Sequence, residues 1–346
     1  MTFAHAHEAF SQVWPAFALI AGLVLVGATA AREGLFAQAG ALAARVPGGG
    51  TALLTSLLLA TAIVTAVLNL DTAVVFLTPV LLHAARQRGL DESPFLYGAV
   101  FMANSASLLL PGSNLTNLIV LAQNPSSGSS FASRMWPAWV VAVAVTIVFL
   151  AAVFRRELRR TTEGKEERPA FSPRAGTLAA VAAVALVLVL ARPALPVLAV
   201  GAVAAFIGRL RLRDAIRAAN PFLLGSVLAL AVLLGTAARA LPGLANFATH
   251  TGRWTSAWLG VGAAVLVNNL PAATVLSAHA PAHPRALLLG LNLGPNLAVS
   301  GSLSAVLWLQ VARANGARPS VWRYSALGLV LVPISLTLGL LAATRF

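Results

Sequence analysis

Residues 93–133 contain no charged side chain, residues 46–85 contain only Asp71, and residues 254–312 contain only Arg285. Each run is far longer than the roughly 20 apolar residues that cross ~30 Å of hydrocarbon, and each holds Asn, Ser, Gly or Pro in its middle. A backbone unwound at membrane depth has no water to bind. Such a segment survives only where the protein itself, or a water-filled cavity, satisfies its freed N–H and C=O groups. These three runs are therefore expected to be broken helices around a shared polar interior. Uncharged runs of ordinary length at about 9–31, 135–154, 175–191, 193–208, 218–238 and 324–344 are expected to be plain spans.

Only 10% of residues are charged, against roughly 25% in soluble domains, which excludes a water-soluble globular fold. The net charge of +14 would suggest nucleic acid in a soluble protein. Here the bases cluster in short segments between apolar runs, which is a membrane-topology pattern and argues against a nucleic-acid partner. No cysteine is present, which excludes disulfides, thiolate metal sites and thiol nucleophiles. No basic region precedes the first apolar run and no small-residue cleavage pattern closely follows it, so that run is expected to be retained and the mature chain to begin at Met1.

The hydrophilic segment 155–174 divides the chain into a first transmembrane repeat, 1–154, and a second, 175–346. With that linker and the loop from Arg209 to Arg217 on the cytoplasmic side, 18 of the 24 Lys and Arg fall inside and six outside, as the positive-inside rule requires. The first long run then turns back near Asn69-Leu70-Asp71 from the cytoplasmic side, and the third turns back near Asn268-Asn269-Leu270-Pro271 from the outer side. The expected fold is thus an all-α polytopic membrane protein with two inverted repeats, re-entrant hairpins and broken transmembrane helices. Paired interruptions in opposed halves point to a transporter's binding site.

Asp71 is the only acid within an apolar stretch, and burying it costs about 2.5–3.5 kcal/mol on insertion scales. It reads as a carboxylate that couples a proton or cation, or as the N-cap of the helix that follows. Asn69 and Thr72 flank it. In the second break, Ser113, Asn114, Thr116 and Asn117 offer neutral donors and acceptors, and Asn268, Asn269, Asn292, Asn296, Ser300, Ser302 and Ser304 offer the same chemistry from the other half. For a single Ser, interhelical hydrogen bonding is the plainer reading, whereas Asn114 and Asn269, at break centres, read as substrate or ion contacts. The histidines lie away from the breaks and have no metal-ligand companions at helical spacing. Trp136, Trp139, Trp254, Trp258 and Trp322 lie near span ends and read as interfacial anchors.

The blocks Leu68-Asn69-Leu70-Asp71-Thr72-Ala73, Ala106-Ser107-Leu108 through Asn117, Asn268-Asn269-Leu270-Pro271 and Asn292-Leu293-Gly294-Pro295-Asn296 to Leu309 resemble the ion-transporter superfamily, and most closely the ArsB-type arsenite/antimonite efflux permeases. The resemblance runs from about residue 16 to the end. It implies export of trivalent arsenic or antimony hydroxide across the plasma membrane, driven by the proton-motive force or by a soluble ATPase subunit, with a homodimer as a further expected assembly. Two departures bear on this. The family usually carries further N-terminal spans, and a second acidic position of the family is Asn104 here. No phosphate-binding Gly-Lys-Ser/Thr loop is present, so ATP hydrolysis would need another subunit. No cofactor is implied.

Arsenous acid is uncharged at neutral pH and suits Asn, Ser and Thr ligands, as would a dicarboxylate, sulfate or sodium ion. A sodium-coupled anion or dicarboxylate symporter, or a sodium/proton antiporter, is the competing transport reading. An intramembrane enzyme would need paired Asp, Ser with His, or a His-rich metal site, and the sequence presents none of these constellations.

Overall fold

The computed structural model describes residues 3–36, 38, 47–122, 126–159, 175–190, 192–219, 221–240 and 248–343. Most of the expected linker, residues 160–174, lies outside the described residues.

Helix α1, Phe3–Arg32, is followed by a helical pair, α2 Gly50–Val67 and α3 Leu70–Gln87. The chain turns at Leu68 and Asn69 because Asn69 is extended (φ −171°, ψ 168°) and its Oδ1 accepts the Thr72 amide at 2.6 Å, capping α3. Arg88 donates to the Gly48 carbonyl at 3.4 Å, so the pair opens and closes at one end of the bundle.

Next come α4, Ser93–Ala106, and α5, Leu115–Leu121, separated by a short 3₁₀ turn at Pro111–Ser113. Proline cannot donate to a helix and pushes its predecessor out of the helical region, and Leu110 is indeed extended (φ −121°, ψ 152°). The long α6, Gly128–Val153, completes the first half.

The second half repeats this order. Helices α7, Ala175–Val189, and α8, Ala194–Ile207, cover α1. The basic segment after Arg209, expected as a loop, folds in part as the short helix α9, Leu212–Ala219. After α10, Pro221–Ala240, a second hairpin pairs α11, Arg253–Val267, with α12, Asn269–Leu276. A second broken helix follows as α13, Pro284–Leu293, 3₁₀ turns at Gly294–Leu297 and Val299–Gly301, and α14, Leu303–Ala314. Helix α15, Val321–Ala342, closes the described fold.

Contacts at the two ends establish the inversion. At one end Arg86 of α3 pairs with Glu92 at 2.6 Å and donates to the Asn315 carbonyl at 2.8 Å. Nearby, Arg323 of α15 pairs with Glu157 at 3.6 Å and lies 4.9 Å from the Phe154 ring centroid. The first hairpin's open end, the start of α4 and the end of α6 therefore gather where α14 ends and α15 begins. At the opposite end Arg134, Arg253, Arg285 and Leu340 line one cavity, bringing together the starts of α6, α11 and α13 and the end of α15. The first hairpin opens at one end of the bundle and the second at the other.

Packing follows the same symmetry. Helix α3 packs on α14, as α12 packs on α5, and α6 packs antiparallel on α15. Glycines permit the closest crossings: a Cβ at Gly290 would collide with the Ala257 carbonyl and one at Gly328 with the Asn296 carbonyl, the close approach that small residues allow in membrane bundles. Large apolar side chains such as Phe206, Leu266 and Leu329 are exposed on the outside, as expected where the solvent is lipid. Helices α1, α2, α6 and α15 are long and apolar enough to cross a membrane. The chain is an all-α multi-pass membrane protein.

Candidate functional site

The breaks converge through one amide. Asn292, fully buried near the end of α13, accepts at Oδ1 from Ser107 Oγ at 2.8 Å and from Asn114 Nδ2 at 2.5 Å, with Thr116 Oγ1 at 3.5 Å. Its Nδ2 donates to Asn117 Oδ1 at 2.9 Å and to the Leu288 carbonyl at 2.8 Å. Asn117 in turn donates to the carbonyls of Ser107 and Leu110, and Ser113 Oγ bonds to the same two carbonyls. The carbonyls freed by the first break are thus satisfied inside the protein, as an apolar solvent demands. Asn114 also caps α5, accepting the Thr116 amide at 3.2 Å.

A second bridge joins the halves. Asn104 Nδ2 donates to Asn296 Oδ1 at 2.8 Å, leaving Asn104 Oδ1 and Asn296 Nδ2 buried without hydrogen-bond partners. Asn69 Nδ2 and Thr72 Oγ1 are likewise buried and unpaired. The halves are in register here. Asn104 precedes the cap Asn114 by ten residues, and Asn292 precedes the cap Ser302 by the same ten.

Asp71 is not the cap of α3, since Asn69 holds that place. It lies in the first turn, and Ser304 Oγ, in the first turn of α14, donates to its Oδ1 at 2.5 Å. Two helix N-termini, one from each half, therefore meet at a single carboxyl group. Asp71 and Thr72 line a cavity of ≈ 700 Å³ that also touches α1, Asp214, Leu224 and Gln310. Ser304 is ten residues from the end of α14, roughly 15 Å of helix, so the carboxylate sits near mid-depth.

The second hairpin contributes differently. Asn268 caps α12 from a left-handed conformation (φ 78°, ψ 147°), accepts the Leu270 amide at 3.3 Å and donates to the Ser300 carbonyl at 3.0 Å. Asn269 is buried at the start of α12. Ser302 caps α14 through the Ala305 amide at 3.1 Å. The Ser300 side chain is exposed, so this residue joins the junction through its main chain.

Three sequence expectations need correcting. For the expected shared polar interior, the described residues show two distinct environments: the Asn292 network is satisfied by protein partners, while Asp71 faces a cavity. Asp71 as N-cap gives way to Asn69. Trp139 is not only a span-end anchor, because its Nε1 donates to the Ala106 carbonyl at 2.9 Å and so satisfies the end of α4. Sequence reasoning also missed Gln12, whose Nε2 reaches the carbonyls of Ile119 and Ser277 while its Oε1 accepts from Arg239 at 2.5 Å. A lone amide inside the first apolar run was the available signal.

A family model described as CitMHS, citrate transporter, matches residues 2–300. The chain belongs to the CitMHS citrate transporter family. An arsenical pump membrane protein from Escherichia coli strain K12 is 27% identical over 92% of this chain and 83% of its own length. The rice silicon efflux transporter LSI3 is 29% identical over 44% of this chain, and a second Escherichia coli arsenical pump membrane protein is 30% identical over 44%. These last two alignments span 32% and 36% of those relatives' own lengths, about a third. The crystal structure of the Alcanivorax borkumensis YdaH transporter shares the fold, with a TM-score of 0.61 at 15% identity over 99% of this chain and 87% of that one. Family membership and a multi-pass membrane fold are what the comparisons show of this chain. The matches to arsenical pump proteins place the expected resemblance to arsenite permeases within this wider family without singling that type out.

Proposed function

We propose that this transporter exports a small uncharged hydroxide, arsenite or antimonite as the trihydroxide, in exchange for a proton carried by Asp71. The observation that supports this is the makeup of the junction: its side-chain hydrogen bonds come from Asn, Ser, Thr and Asp71, and among the described residues no basic side chain donates to any of them. A citrate or dicarboxylate ion would bring fixed negative charge to a junction whose hydrogen-bonding side chains are neutral apart from acidic Asp71, at a high cost in low dielectric; Arg32 lines the Asp71 cavity together with Asp214. An uncharged hydroxide carries both donors and acceptors, as required by the unpaired Asn69 Nδ2, Thr72 Oγ1, Asn104 Oδ1 and Asn296 Nδ2. The names of the relatives, arsenical pump and silicon efflux, point to solutes of this kind.

In this reading the Asp71 cavity is the cytoplasmic approach, the linker and the Arg209 to Arg217 segment face the cytoplasm, and the protein resides in the plasma membrane. Asp71 with Ser304 Oγ also offers oxygen ligands to sodium, which favours a sodium-driven variant as the second reading. Proteoliposomes loaded with arsenite, citrate or a dicarboxylate, under imposed pH or sodium gradients, separate them. Arsenite accumulation driven by a pH gradient is expected. Concentrative citrate flux without arsenite flux would overturn the substrate, and dependence on sodium alone would overturn the proton.

A further inference from the structure

We propose a second binding site, for a phosphate-type oxyanion at the level of the lipid headgroups, where the second hairpin opens. A cavity of ≈ 560 Å³ there is lined by Arg134, Arg253, Arg285 and His283, and among the described residues no acidic side chain lines it. Only six basic residues fall on this side in the arrangement that puts the other 18 together, and three of the six surround this one cavity. Lipid-solvated proteins avoid such an excess of cations on the translocated side, so the concentration marks a face suited to an anion.

Two further features point the same way. Arg253 Nε is buried without a hydrogen-bond partner, an arrangement that destabilises unless an acceptor arrives. Helices α11 and α13 both start here, and neither Gly252 nor His283 caps them with a side chain, whereas Ser127 and Ser320 cap α6 and α15. An oxyanion among the guanidinium groups would lie at the starts of both helices and meet their partial positive charge. Trp254, partly exposed at the rim, sets the depth at the membrane interface, where indoles settle. The anion's source is either a lipid phosphodiester or soluble phosphate, and the chemistry of recognition is shared. Asp71 and the Asn292 junction take no part, so the site stands apart from the transport reading.

The test is native mass spectrometry of the delipidated full-length protein in detergent, titrated with phosphatidylglycerol, phosphatidylcholine and inorganic phosphate. Wild-type protein should bind phosphatidylglycerol or phosphate, and Arg253→Gln combined with Arg285→Gln should weaken that binding about tenfold or more, given the strength of charge-assisted hydrogen bonds. Arg253→Lys keeps the charge and should stay within a few-fold of wild type, which separates loss of the site from loss of the fold. Selective loss of phosphatidylglycerol assigns a lipid, and loss of inorganic phosphate assigns a soluble anion; either supports the site. Equal binding by wild type and the double variant for both probes overturns it, as does a parallel loss of phosphatidylcholine.

Discussion

The two hairpin tips occupy equivalent places in opposed halves and differ in almost every chemical respect. The first turns through an extended Asn69 and carries an acid two residues later, held by Ser304 and facing a cavity. The second turns through a left-handed Asn268 and carries buried Leu270 two residues later. One tip is relaxed and ionisable, the other strained and electrically silent. A duplicated framework has thus been divided into a tip that can exchange charge and a tip that can only pack and hydrogen-bond. Any coupling ion has a single place among the described tips at which to meet a carboxylate.

The largest expected effect comes from erasing that difference. Asp71→Asn leaves the Asn69 cap and the Ser304 hydrogen bond feasible, so the protein should accumulate and unfold as wild type while gradient-driven uptake falls to the level of empty vesicles. Flux against a concentration gradient surviving in the variant would move the coupling step elsewhere. Next in size is a blow to the link between halves. Asn292→Leu strips Ser107, Asn114 and Asn117 of a buried partner, at about 1–3 kcal/mol per group left unsatisfied and less where the membrane-unfolded state finds substitutes. A fall in Tm of a few °C, read in detergent by a thermal-shift assay, is expected, and an unchanged Tm would mean the amide is not what joins them. The smallest effect should differ in sign between the tips. Asn268→Gly removes strain of about 1–3 kcal/mol against roughly 1 kcal/mol of lost hydrogen bonding, so Tm should hold or rise. Asn69→Gly relieves nothing and should lower stability by the few tenths of a kcal/mol that a cap replaced by Gly costs, and Tm slightly with it. Equal decreases in both variants would sink the claim that only the second tip is strained.

Much of this was legible in the sequence because a bilayer punishes polar interruptions so heavily. Asn69, Pro111, Asn268 and Pro295 stand in runs otherwise fit for hydrocarbon, so the breaks, the two halves and the all-α class followed from hydropathy and turn chemistry. Which atoms meet did not follow. Asp71 looked like a cap because Asp-Thr-Ala is a good helix start, yet Asn69 was the better-placed competitor. Trp139 lies near a span end in sequence, but the interruption after Ala106 creates an acceptor for it, and no one-dimensional pattern reports that distance. Gln12 was overlooked for the same reason, its partners lying 107 and 265 residues away. The choice of substrate stayed open because Asn, Ser and Thr serve many solutes alike.

The Asn292 junction has a consequence in time. Its partner Asn117 is made 175 residues earlier, which at about 5–20 residues per second of synthesis is a wait of roughly 10–35 s. Until then the first half sits in the membrane with Asn114 Nδ2 and Asn117 Oδ1 lacking the partner that Asn292 supplies. During that interval the nascent chain presents the kind of exposed polar surface that membrane quality control removes. A truncated product ending before Asn292 should therefore be cleared by proteases rather than persist as a half-transporter.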